Sequence, residues 1–176
     1  MKIKAEVYAQ DLNRRMTVTE VRLYAYEACH SCTYKQVLFR LLFHENKRIS
    51  NNAAWIFTHF DTDSVQWLRN RQPMLVQALQ TDVDPTRKRL FLTLIERQKK
   101  IGWSLDLLNF CLNSLSVAGL PDSVRVLSVK IAYRLCSSSP ELMRELNGYV
   151  DMLEREPLAP SLACVLRKMK LQVRIS

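Results

Sequence analysis

Glycine is scarce, at 3 of 176 residues. So are the alternating apolar–polar stretches that a half-buried strand needs. Three glycines cannot build a phosphate-cradling loop. No G-x-S-x-G, H-E-x-x-H or paired-carboxylate arrangement stands out either, which argues against an enzyme. No apolar run approaches the ~20 residues that span a bilayer, so no membrane association is expected. Met1-Lys2-Ile3-Lys4-Ala5-Glu6 is charged and mixed, unlike a secretory leader. Cysteine is present but makes no disulfide framework: Cys29, Cys32, Cys111, Cys136 and Cys164 are odd in number and scattered. The last three fall in apolar helical stretches, where a reduced thiol acts as a small hydrophobe. A reducing, cytoplasmic setting is expected.

What the chain does have is apolar bulk, at 48% hydrophobic residues, and an excess of positive charge, +9 with a pI near 9.5. The basic balance is compatible with nucleic acid or an acidic partner. With no base-reading motif beside it, it equally describes a solvated surface.

Helix-start signals recur. Ser50-Asn51-Asn52-Ala53-Ala54-Trp55, Asp84-Pro85-Thr86-Arg87, Leu120-Pro121-Asp122-Ser123 and Ala159-Pro160-Ser161-Leu162 begin 34, 36 and 39 residues apart, with a second helical pattern between each pair. Such periods mark stacked repeats. Thr17-Val18-Thr19-Glu20 is a capping box before an apolar face of Val18, Val21, Ala25 and Ala28. Ser50 is expected to cap the helix carrying Ala53, Ala54, Phe57 and Phe60. Gly102 is expected to end the helix that opens at Asp84, and Gly119 the one that Ser104 opens, with Leu105, Leu108, Cys111, Leu112 and Leu115 inside. The stretch from Pro121 to Ser137 is apolar on two sides: Val124, Leu127, Ile131 and Leu135 on one, Val126, Val129 and Tyr133 on the other. Such a helix packs against two neighbours. About nine helices and no sheet are expected.

Pro121-Asp122-Ser123-Val124-Arg125, followed by Ala132 and Leu135, resembles the second helix of a HEAT repeat. Asn52-Ala53-Ala54-Trp55-Ile56 and Thr86-Arg87-Lys88-Arg89-Leu90 are looser copies without the Asp-x-Val-Arg run. The resemblance covers roughly residues 50–176 and extends to HEAT and armadillo-like proteins as a broad class. It implies an all-α fold, a right-handed αα-superhelix of about four to five helix pairs. It also implies Asp and Arg residues that pair along the array, and a binding scaffold with no catalytic residues carried over. We read residues 1–176 as a single solenoid domain, with N-terminal helices over 1–48 and helical repeats over 49–176.

Three features are candidates for chemistry. Cys29-His30-Ser31-Cys32 is a lone C-x-x-C. Two unreactive thiols are expected there, a metal or redox role lacking the second ligand pair or the preceding strand. No metal or cofactor is expected elsewhere. Trp55 and His59 share a helical face through i,i+4 spacing. In HEAT-like DNA glycosylases exposed aromatics act beside an acid, and Asp61 and Asp63 lie close by in sequence; alternatively, Trp55 fills a groove between repeats. Finally, the helices opening at 84, 120 and 159 carry the Lys and Arg excess, while the segments between repeat starts are neutral or acidic. Alternate solenoid layers face opposite sides, so Lys88, Arg89, Arg125, Lys130, Lys168 and Lys170 are expected on one basic wall. The partner expected first is another protein. Nucleic acid on the basic wall is the alternative, in a DNA-repair-like role. Self-association through Leu162, Val165, Leu166 and Met169 of the last helix is also expected.

Overall fold

A computed structural model describes residues 2–117, 119–154 and 157–175, with side chains over 6–117, 119–154 and 157–169. Among the described residues there are ten α-helices, one 3-10 helix and no strand. The tenth α-helix, one more than expected, reflects a helix formed over residues 2–12, where periodicity is weak. The chain divides into two compact units. The first is Met1–Arg71 with Thr86–Lys99; the second is Gln72–Pro85 with Lys100–Ser176.

The first unit holds α1 (Lys2–Leu12), α2 (Val18–His30), α3 (Cys32–Leu41), α4 (Lys47–Thr58), a 3-10 helix (Ser64–Arg71) and α6 (Pro85–Glu96) apart from its first residue. The capping box forms: Thr17 Oγ1 accepts from the Glu20 N–H at 3.3 Å, and Glu20 Oε2 accepts from the Thr17 N–H at 2.7 Å. Val21, Ala25 and Ala28 are buried below it, but Val18 is exposed. It stands at the first helical position, before the apolar stripe has turned inward. Ser31 ends α2 and caps α3, its Oγ accepting from the Tyr34 N–H at 3.2 Å.

Ser50 does not cap α4. The helix starts three residues earlier, at Lys47, with Asn46 Oδ1 accepting from the Arg48 N–H at 2.9 Å. Ile49 is buried, so the apolar stripe already includes it. Ser50 lies fully buried, and its hydroxyl donates to the Leu42 carbonyl at the end of α3. Ala53, Ala54, Phe57 and Phe60 are buried as the periodicity requires. Phe57 meets Phe60 at 4.5 Å and Trp67 at 6.4 Å between ring centroids. Phe91 of α6 meets Phe43 at 6.1 Å. Arg97, just past α6, donates to the carbonyls of Thr58 and Phe60, the latter at 2.6 Å, and so satisfies the end of α4.

The Glu20 carboxyl is held at about 2, against an ordinary 4.5, first by its bond to Arg14 and then by the Thr17 backbone and hydroxyl. A carboxyl depressed in the folded state contributes stability above pH 4.5 and loses it as pH falls towards 2. Amide protection across the first turn of α2 should therefore fade in that window. In Glu20→Gln that step should vanish; its persistence would assign it to another carboxylate.

The second unit holds α5 (Gln72–Thr81), α7 (Leu105–Ser116), α8 (Asp122–Cys136), α9 (Pro140–Leu153) and α10 (Pro160–Ile175). Helix α8 packs against α7, α9 and α10. Val124, Ile131, Leu135, Val129 and Tyr133 are buried, so both its faces are covered. Leu127 and Val126 are only half-buried. Position 127 is thus less covered than the expected face requires. Ser104 and Ser139 cap α7 and α9 as their sequences indicate. Gly119 takes φ +78 between α7 and α8, a left-handed conformation that glycine adopts freely.

Gly102 does not end α6, which stops at Glu96. Its backbone is gripped by the Gln72 side chain instead: Nε2 donates to the Gly102 carbonyl at 2.7 Å and Oε1 accepts from its N–H at 2.9 Å. Helix α7 buries Leu107, Leu108, Cys111 and Leu115, while Leu105 is exposed. The inward stripe starts two residues later than expected.

Candidate functional site

Trp55 and His59 lie together on α4, ring centroids 6.2 Å apart at 60°, both half-buried. His59 titrates lower than usual, first through burial and then through the charges of Arg22 and Arg97. Both effects disfavour its protonated form. The two nearby acids are committed elsewhere. Asp61 accepts from the Ser64 N–H at 2.6 Å, the Ser64 hydroxyl at 2.7 Å and the Asp63 N–H at 3.0 Å, and these bonds hold it at about 2. Asp63 pairs with Lys99 at 2.6 Å. Asp61 is a capping carboxylate with a depressed pKa, the opposite of what a general acid needs.

Cys29 is half-buried, and Cys32 is exposed at the first residue of α3. His30 Nδ1 lies 2.8 Å from the Tyr26 carbonyl. Among the described residues no group of three His, Cys, Asp or Glu side chains is placed to hold a metal. Cys111 is buried, and burial pushes its thiol up to about 12.

The basic residues separate by role. Lys88 and Arg89 are on α6 in the first unit, half-buried and exposed respectively. Arg125 and Lys130, on α8, are half-buried in the second unit, and Lys168, on α10, is exposed. The side chain of Lys170 lies outside the described residues. Arg125 is structural: its Nη2 donates to the Leu115 carbonyl at 2.5 Å, satisfying the last turn of α7. The resemblance implied Asp–Arg pairing, but this guanidinium bonds a carbonyl.

The expected self-association face is largely covered by the chain itself. Leu162 and Leu166 are fully buried, α10 packing against α8, and Val165 and Met169 are half-buried. The apolar stripe of α10 is a core face of the second unit. Among the described residues no helix is long and apolar enough to cross a membrane.

A side chain that sequence reasoning passed over is Trp103. It is 61% exposed, and Leu105 beyond the Ser104 cap is 55% exposed. Trp103 follows the Gly102 backbone that Gln72 grips, so a mostly bare indole is carried on a fixed stretch of chain. Periodicity is silent here because the residue sits outside any helix. The signal that could have found it is a large aromatic between a glycine and a helix cap.

No curated protein and no solved structure matches the chain. A model of the HEAT repeat domain matches residues 8–173, taking in the N-terminal helices, where no Asp-x-Val-Arg run appears. Helices throughout, and a family match over nearly their whole extent, lead to one conclusion: the chain belongs to the HEAT repeat domain family.

Proposed function

We propose that this helical-repeat scaffold is non-enzymatic and binds another protein, with Trp103 as an anchor of the interface. The observation that carries the reading is the exposed Trp103–Leu105 pair on a backbone pinned by Gln72. Tryptophan is over-represented among the few residues that dominate binding energy, and a preordered backbone lowers the ordering cost of association. Asp61 and Asp63, which follow Trp55 closely in sequence, are used in capping and pairing, which supports a scaffold over a hydrolytic role.

A second reading is retained because Arg89 in the first unit and Lys168 in the second are exposed in a chain of net charge +9: nucleic acid bound through such cations, each unit taken by itself. Affinity purification from the native cell with two variants separates the two. Trp103→Ala should lose the protein partner by at least about tenfold, as hot-spot truncations do, with helical dichroism unchanged. Lys88→Glu with Arg89→Glu should leave that partner bound. The opposite pattern, with nuclease-sensitive binding that weakens steeply with salt, would favour nucleic acid.

A further inference from the structure

A cleft of about 550 Å³, wide open to solvent, lies in the first unit, lined by Asn13, Asn46, Lys47, Arg48, Asn51 and Asn52. Every lining side chain is a carboxamide or a cation. Internal bonds fix the amides. Asn46 Nδ2 donates to Asn13 Oδ1 at 3.0 Å, and Asn52 Nδ2 donates to the Leu12 and Arg14 carbonyls at 2.8 and 2.9 Å. The Arg48 N–H, at the start of α4, is already taken by Asn46 Oδ1. The cavity's chemistry therefore belongs to side chains and not to the helix end. What remains is the Asn13 amide as donor, the Asn52 carbonyl oxygen as acceptor, and the Lys47 and Arg48 cations. Neither cation has a carboxylate partner among the described residues.

Two adjacent, uncompensated cations attract an anion, and the guanidinium fork matches phosphate oxygens. Carboxamides that both donate and accept match hydroxyl groups, which do the same. No apolar residue lines it, which disfavours an aromatic base or an acyl chain, since small-molecule sites surround these with apolar side chains. The volume lies within the ~300–1,000 Å³ range of small-ligand sites, and inorganic phosphate alone would leave most of it to water. We propose that this cavity binds a phosphate ester of a polyol, with the phosphate on Lys47 and Arg48 and the hydroxyls on Asn13 and Asn52. This site is independent of Trp103, which belongs to the other unit.

Calorimetry on the full chain with inositol monophosphate, inositol and inorganic phosphate tests it. The ester should bind at least about tenfold tighter than either fragment, a difference of about 1.4 kcal/mol. Lys47→Gln with Arg48→Gln should abolish that advantage over inositol. Asn13→Asp keeps an acceptor for Asn46 Nδ2 but removes the amide donor offered to the hydroxyls and adds a negative charge to a site that takes an anion, so it should weaken binding even if the double variant folds poorly. Vesicles of phosphatidylcholine with and without phosphatidylinositol phosphate distinguish the source. Sedimentation that Asn13→Asp abolishes makes the ester a lipid headgroup; soluble binding without sedimentation makes it a free ester. The proposal is overturned if neither form binds, if phosphate alone binds as well as the ester, or if Asn13→Asp leaves the affinity unchanged.

Discussion

Phe57→Ala should lower the unfolding free energy by about 3–5 kcal/mol, the range for deleting a buried aromatic ring. Phe57 is fully buried on α4, with Phe60 and Trp67 as ring neighbours. Truncation removes the transfer energy of the ring and leaves a void that those two rigid rings cannot easily fill. Phe57→Leu should restore part of the loss. A cost below about 1 kcal/mol for the alanine variant, in urea unfolding with an unchanged slope, would place Phe57 outside the core of its unit.

Ile131→Ala should cost about 2–5 kcal/mol, and Leu127→Ala clearly less. The contrast is the informative part. Both residues belong to the apolar pattern of α8, four apart. Ile131 is fully buried, whereas Leu127 is half-buried. A partly exposed leucine already meets water and its removal opens no sealed cavity. Equal costs in parallel urea melts would mean that Leu127 is covered in solution.

These two positions also show where sequence reading reaches and where it stops. The two-sided apolar pattern of α8 was legible because it repeats over four turns, and three packed neighbours require it. The Thr17–Glu20 box was legible because it is local: residue type and spacing alone specify the bonds. Ser50 misled for the same reason. Ser-Asn-Asn before an apolar run is a good cap sequence, but Asn46 offers an equal cap one turn earlier, and a helix extended to Lys47 also buries Ile49. Leu127, Leu105 and Val18 were placed inside because periodicity gives the direction of a side chain, not the edge of its neighbour.

The candidate sites were less legible than the fold. Trp55 and His59 were brought together by helix spacing alone, and so were foreseeable. The role of Arg125 was not, because the carbonyl it bonds is ten residues earlier in the chain. The same holds for Asp61, whose proximity to Trp55 suggested catalysis until its bonds to Ser64 accounted for it. The polar cavity joins Asn13 to residues 46–52, a separation that no local pattern encodes.

Photocrosslinking from position 103 in the native cell tests the protein-scaffold account most directly. With a photoreactive amino acid replacing Trp103, and the same group at exposed Gln80 as control, the account predicts a discrete protein adduct from position 103 alone. The chain should keep its helical dichroism in both cases. A nucleic-acid adduct, or the same adducts from both positions, would contradict it.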